Sequence, residues 1–184
     1  MTKSFTLNDI DEAVRGKIYT QNYKKEKEIA GVKIILLENI ISEDGDFSEI
    51  IRINKEGFVE NISDFKLTQM NRSKMLPNTI KAWHLHLKQN EIWFVPPESR
   101  LLIGLWDIRK DSPTKNQTMR LVLGGDKSEL LYIPKGVAHG SCNQLNKTVV
   151  VIYFTDQLFN RNEADEKRIP WDTLGKEFWQ PKKD

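Results

Sequence analysis

The chain has 184 residues, with 28 Lys plus Arg against 26 Asp plus Glu and a formal net charge of +2. That balance provides no basic field for a nucleic acid or an anionic membrane, and the short runs Lys24-Lys25-Glu26-Lys27 and Lys182-Lys183 read as solvated surface. No apolar run approaches the ~20 residues of a spanning helix. The start Met1-Thr2-Lys3-Ser4 leads into no signal-peptide core, and Cys142, the only cysteine, excludes an intrachain disulfide. The expectation is a soluble cytoplasmic protein.

In chain order, residues 5–16 predict one short helix, capped by Thr6 or Asn8, with Asp9, Asp11 and Glu12 in its first turn and Gly16 at its end. Residues 17–30 are polar and read as arm or loop. From Gly31 the pattern becomes β. Strands are predicted over Val32–Leu37, Phe47–Ile53, Phe65–Met70, Thr79–His86, Ile92–Val95, Leu101–Ile108, Met119–Leu123, Leu130–Ile133 and Val149–Phe154. Turn signals separate them at Pro96-Pro97, Asp111-Ser112-Pro113, Gly124-Gly125-Asp126 and Asn143–Asn146. Many short strands at this spacing indicate an all-β sandwich or barrel with minor short helices. Glu163–Lys167 is a charge run that reads as a solvated loop or helical turn. The aromatic stretch Ile169–Trp179 predicts a tail docked as core filler, with closure of a site mouth as the other possibility. The expected organisation is a single domain, 1–184: an arm over 1–30, a barrel over 31–155 and a docking segment over 156–184.

All three histidines fall in two stretches. In Thr79–His86, a period of two puts Ile80, Ala82, His84 and His86 on one face and Lys81, Trp83 and Leu85 on the other. Ile133–Gly140 reads as a strand end and tight turn, where Pro134 fixes φ and Gly136 permits an unusual one. His84-x-His86, four residues, Glu91, and a distant Pro134-x-Gly136-x-x-His139 form a spacing able to bind metal through three nitrogens and one oxygen. It resembles the two cupin motifs; Asn143 is in its place, but the glycines at the outer ends of those motifs are absent. A reading without metal makes a histidine the general base, its tautomer fixed by a carboxylate, for which Asp172 is the candidate. Tyr153 is then the matching acid.

Over Gly31–Trp179 the chain resembles the dTDP-4-dehydrorhamnose 3,5-epimerase family. The resemblance is carried by Asp107-Ile108-Arg109-Lys110-Asp111-Ser112-Pro113-Thr114 (D-x-R-x-x-S-P-T) and Ile133–Gly140 (I-P-x-G-x-A-H-G). Gln69–Ser73 (Q-x-N-x-S), Lys81–His86 in the place of R-G-x-H-x-Q, Tyr153 and Trp171-Asp172 add to it. It implies a cupin-type double-stranded β-helix (jelly-roll) barrel, homodimeric and without metal or other cofactor, that removes protons beside the ketone of a nucleotide-linked 4-keto-6-deoxyhexose. His84 would be the base, oriented by Asp172, and Tyr153 the acid. His139 and His86 would lie in the sugar pocket, Gln69, Asn71 and Glu49 would contact substrate, and Lys81 would take the phosphate role of an arginine. The chain departs from the pattern in having no lysine within Glu91–Phe94, His86 where a glutamine stands, and Phe159 where a second tyrosine stands. Another nucleotide sugar or a single epimerisation stays open, as do a metal-dependent cupin oxygenase or isomerase built on His84, His86, Glu91 and His139, a nucleotide-sugar ketoisomerase, which also uses an H-x-H strand, and a non-catalytic sugar-binding cupin.

Overall fold

The computed structural model describes residues 4–21 and 27–182. Lys24, Lys25, Glu26 and Lys183 of the two basic runs lie outside the described residues. Twelve strands follow in order: β1 (Lys33–Leu36), β2 (Ile40–Ser42), β3 (Gly45–Phe47), β4 (Gln69–Met75), β5 (Thr79–Leu85), β6 (Glu91–Phe94), β7 (Arg100–Asp107), β8 (Thr118–Gly124), β9 (Glu129–Ile133), β10 (Val137–Asn143), β11 (Val149–Thr155) and β12 (Lys167–Arg168). Two five-stranded antiparallel sheets form, ordered β1-β9-β6-β11-β4 and β12-β5-β10-β7-β8, with β2 and β3 as a separate hairpin. This is the expected jelly-roll, two sheets face to face.

Alternation along the strands sorts their side chains into layers. In β7, Leu101, Ile103 and Leu105 point between the sheets, where they meet Trp93, Leu131, Val149 and Val151. Leu102 and Trp106 point outward and join Trp83, Ala138, Phe178 and Trp179. The outer face of the first sheet is covered as well: Val59, Ile62 and Phe65 pack on Ile92, Phe94 and Phe154. Two-sided burial explains why several strands read as continuous apolar runs rather than as strict alternation.

The structure corrects several expectations. The helix over 5–16 is two single turns, a 3-10 turn Leu7–Asp9 with a Thr6–Asp9 capping box and an α turn Glu12–Arg15 whose cap is Asp11. Neither buries a residue, so nothing extends them into one helix. Phe47–Ile53 is strand only at its first residue; the rest, with 54–67, is an irregular cover whose apolar side chains plug the outer sheet face. The strand expected at Phe65 starts at Gln69, because Phe65 is fully buried in that plug. Val137–Asn143 is a full central strand, hidden in the sequence by Gly140 and Ser141. Gly140 is needed because any Cβ there would collide with Ala82 of β5.

The Asp107–Thr114 segment is a structural knot. Asp107 is fully buried, and its carboxylate accepts from Arg109 Nε and Nη2 (2.8 Å each), Ser112 Oγ (2.5 Å) and Thr114 Oγ1 (2.6 Å). Arg109 donates to Ala30 O (2.6 Å) and Ala30 N donates to Thr114 Oγ1 (2.9 Å), which fastens the arm to the barrel. Burial raises the Asp107 pKa, but these donors outweigh it and hold the carboxyl far below its ordinary value. A folded pKa below the unfolded one means stability present above about pH 4 and lost as pH falls further. Asp107→Asn is therefore expected to lower unfolding free energy by roughly 2–3 kcal/mol in denaturant titration and to flatten the acid limb of stability below that pH.

The tail docks as core filler. Trp179 is 2% exposed, its ring centroid 4.8 Å from that of Trp83 and its Nε1 donating to Trp171 O at 2.9 Å. Room for it comes from Gly104, where a Cβ would lie 2.6 Å from Phe178 Cε1 and 2.7 Å from Trp179 Cη2. Gly104→Ala is expected to cost about 1–3 kcal/mol by overpacking, with a shifted tryptophan fluorescence reporting the displaced tail.

Candidate active site

Antiparallel pairing puts His139 of β10 directly opposite His84 of β5. The register then slips: Ser141 pairs with Lys81, so Gly140 alone faces Ala82 and Trp83. This bulge inverts the facing of β5 along its length. Ile80, Ala82 and Trp83 pack outward on the docked tail, while Lys81, His84 and His86 line a cavity between the sheets. Strict alternation had put Lys81 opposite His84 and Ile80 beside it; the bulge is the reason for the difference. The turn before β10 has Gly136 at φ +82°, and Gly136 N donates to His86 O at 2.8 Å, joining the two histidine stretches.

The cavity has a volume of about 500 Å³. One wall is the second sheet, with Lys81, His84 and Ser141. The facing wall is the first sheet, with Gln69, Asn71, Ser73, Glu91, Trp93 and Tyr153. Tyr153 pairs with both Asn71 and Trp93 across its neighbours, so these three lie in one row. The segment 157–166 forms the rim.

The three imidazoles form a stack with His139 in the middle. Its centroid is 5.8 Å from His84 and 5.4 Å from His86, with interplanar angles of 15° and 24°. Below them lies Glu91, 4% exposed. Its Oε1 is 3.2 Å from His86 Nε2 and accepts from Gln89 Nε2 (2.8 Å); its Oε2 is 3.3 Å from His139 Nε2 and accepts from Trp93 Nε1 (2.6 Å). Burial alone would raise the pKa of Glu91, yet the two imidazoles drive it far below the ordinary carboxylate value. Burial also opposes protonation of His86, but the hydrogen bond and charge of Glu91 reverse this and raise its pKa.

His84 differs in kind. Its Nδ1 is 3.1 Å from Glu166 Oε1, and its Nε2 lies 2.9 Å from Arg168 Nη1. A guanidinium can only donate, so Nε2 carries a lone pair and Nδ1 the proton directed at Glu166. Burial, then the neighbouring His139 and Arg168, lower its pKa to about 3, which keeps it neutral. Tyr153 is pushed up by burial and by Glu91 and Glu166, so its hydroxyl stays protonated.

Two expected site residues are elsewhere. Asp172 is exposed and does not line the cavity. β12 runs antiparallel to β5, with Arg168 opposite His84, and Ile169 exchanges backbone bonds with Trp83. By residue 172 the chain has therefore passed the histidines, and Glu166 supplies the carboxylate at His84. Glu49 lies over a second hollow on the far face of the first sheet, paired with Arg52 at 2.7 Å. His84 also leaves the metal-spacing set, because both its nitrogens are engaged and a cation already faces Nε2. The residues not foreseen come mainly from the charge run taken for solvated loop. Asp165 accepts from the backbone N–H of Leu87 (3.1 Å), Lys88 (2.7 Å) and Gln89 (3.0 Å), and its carbonyl holds His86 Nδ1. The only signal in the sequence was an acidic cluster just ahead of an aromatic docking tail. Phe159 lines the rim, its N–H donating to Gln69 Oε1 at 2.9 Å, and Gln69 in turn holds Asn71 at 2.7 Å.

A jelly-roll whose inter-sheet cavity joins a neutral, carboxylate-oriented histidine to a protonated tyrosine is the frame of a sugar isomerase of the cupin type. The family model for dTDP-4-dehydrorhamnose 3,5-epimerase matches residues 26–179. The chain belongs to that family, and is a nucleotide-sugar epimerase. It is 40% identical over 149 residues to the spore coat polysaccharide biosynthesis protein SpsL of Bacillus subtilis (strain 168), spanning 80% of this chain and 94% of the relative. The dTDP sugar isomerase of Desulfovibrio desulfuricans G20 superposes with a TM-score of 0.68 at 26% identity, over 79% of this chain and 88% of that one. The dTDP-4-dehydrorhamnose 3,5-epimerase of Bacillus anthracis str. Ames, solved with TDP and PPi bound, shares the fold, with a TM-score of 0.69 at 24% identity over 86% and 90% of the two chains.

Asp165 connects the rim to the loop that carries His86. Asp165→Ala is expected to loosen this loop by about 1–2 kcal/mol, seen as roughly tenfold faster amide exchange at Leu87–Gln89.

Proposed function

We propose that the enzyme inverts a carbon beside the ketone of a nucleotide-linked 4-keto-6-deoxyhexose, with His84 as base and Tyr153 as acid. The carrying observation is that a neutral His84 and a protonated Tyr153 stand on opposite walls of one cavity. Glu166 holds Nδ1–H, which fixes the tautomer and stabilises the imidazolium formed when Nε2 takes the C–H proton. The C–H electrons pass to the ketone as an enolate, whose oxygen faces the His86–His139 side. Tyr153 O–H then protonates the carbon from the other face, and inversion follows because base and acid come from different sheets. Arg168 must release Nε2 first. Its side chain is 57% exposed, and the diphosphate of the substrate is the anion that draws it away.

Lys81, donating to Ser73 Oγ at 2.9 Å on the cavity wall, is a second diphosphate contact. Gln69 and Asn71 supply polar contacts to the nucleotide, and the exposed Leu158 and Phe159 an apolar rim for its base. The TDP bound to the Bacillus anthracis structure supports thymine as that base, and the name of the Bacillus subtilis relative supports a role in polysaccharide synthesis. A cytoplasmic homodimer belongs to the same reading. The exposed Ile34, Leu36, Ile40, Ile41 and Phe47 offer a second copy an apolar surface.

The test is solvent deuterium uptake into dTDP-4-keto-6-deoxyglucose, followed by NMR. Uptake at a carbon flanking the ketone is expected, falling ~10³-fold in His84→Ala and at least ~10-fold in Glu166→Gln, with Asp172→Asn close to the parent. Tyr153→Phe should retain exchange while losing inverted product. Substrate binding without exchange would replace this reading by a sugar-binding protein.

A further inference from the structure

We infer that residues 5–19 of one copy dock on the apolar hollow beside the β2–β3 hairpin of a second copy. This docking rests on the homodimeric reading above. It names the segment that joins the two copies, and that segment lies ahead of the family match, which begins at residue 26.

The arm is folded with polar groups bonded to one another and apolar ones left outside. Thr6 N and Oγ1 both donate to Asp9 Oδ2, at 2.9 and 2.8 Å, and Ala13 N donates to Asp11 Oδ1 at 2.8 Å. Arg15 Nη2 donates to the carbonyls of Asn8 (3.3 Å) and Ile10 (2.9 Å), which ties the two turns together. These bonds fix the shape of the segment while Phe5, Leu7, Val14, Ile18 and Tyr19 face solvent, Phe5 being 78% exposed. None of the five joins the apolar clusters of the barrel. Turns this short are marginal in water on their own, and five large apolar side chains on one short segment mark an interaction surface.

The matching surface lies on the far face of the first sheet from the catalytic cavity. β2 and β3 pair with each other and join neither five-stranded sheet. Beside them is a hollow of about 390 Å³ lined by Ile35, Leu37, Ile50, Val59, Ile62 and Leu130, with the exposed Ile40 and Phe47 at its hairpin side. No described residue of the arm lines it, so the arm of the same copy does not fill it.

Charge favours the same pairing. From Glu38 to Asp64 the chain carries eight acidic residues against two basic ones, and Glu38, Glu49 and Glu60 stand at the hollow. From Arg15 to Lys27 it carries five basic residues against one acidic. This separation of sign, in a chain of net charge +2, steers the arm of one copy to the hollow of the other. An anionic membrane is the poorer partner, because Asp9, Asp11 and Glu12 stand among the apolar side chains of the arm. In a two-fold dimer each copy gives one arm and receives one.

The test uses the full-length protein. Leu7→Cys and Ile40→Cys copies are co-expressed and joined with a short bis-maleimide; Cys142 is buried and stays out of the reaction. A covalent dimer linked from position 7 of one copy to position 40 of the other is expected, identified by mass spectrometry of the digest. In parallel, exchange between isotope-labelled and unlabelled copies is followed by native mass spectrometry. Phe5→Ser combined with Leu7→Ser and Ile18→Ser, all exposed positions, should speed exchange at least ~10-fold with circular dichroism unchanged. Glu38→Lys with Glu60→Lys should do the same, and adding Lys24→Glu and Lys25→Glu in the same chain should restore the slow rate. A dimer that yields no such link and exchanges at the parent rate in both sets of variants overturns the docking and leaves the homodimer standing. A chain that is monomeric at every concentration overturns both. A link formed only within one chain carrying both cysteines, or arm-dependent binding to phosphatidylglycerol vesicles without the link, also overturns the docking. Neither readout uses turnover, so the roles of His84 and Tyr153 stand or fall separately.

Discussion

Glu91 is a carboxylate buried between two sheets, and much of the barrel's open end is arranged around holding its charge. Isolated burial of such a group is costly. Here it is offset by donors from its own strand and from the loop before it, and by imidazoles from the opposite sheet. Glu91 itself is placed by β6, which pairs with β9 and β11 on either side. The charge is therefore fixed by the central strand of one sheet, and the imidazoles gather over it from the other. Remove the carboxylate and the histidine stack loses the group it converges on.

The other constraint is the bulge in β5. A regular strand cannot fill the outer layer with Trp83 and also aim Lys81, His84 and His86 into the cavity. One surplus residue opposite Gly140 changes the phase between the two jobs. The docked tail, the tryptophan layer and one wall of the cavity thereby meet at a single seven-residue strand. Gly140 and Gly104, both small for reasons of close approach, set how near β5 and the tail can come to the sheet centre.

Much of this was legible in the sequence. The β-periodic segments and their turns fixed the class of fold, because strand pattern depends on burial and burial follows hydrophobicity. The three histidines, Glu91 and Tyr153 were legible as a group, being rare polar types in strand context. Asp172 was not separable from Glu166 by sequence, since which carboxylate meets His84 depends on the register of a two-residue strand with no pattern of its own. Lys81's facing depended on a bulge, a feature of pairing between segments some sixty positions apart. Glu49 was misplaced because an irregular cover has no periodicity to read. The Asp107–Thr114 motif, the most distinctive piece of sequence, proved to be about holding a turn and an arm.

The short strand β12 is fastened at both ends, upstream by Asp165 to three amides and downstream by Ile169 to the backbone of Trp83. The stretch that orients His84 is therefore also a roof that resists peeling away, since opening it would release both anchors together. Leu158 and Phe159, the exposed apolar part of the rim, lie upstream of the first anchor. The exposed rim and the alignment of the His84 imidazole thus belong to adjacent portions of one segment, with the Asp165 anchor between them.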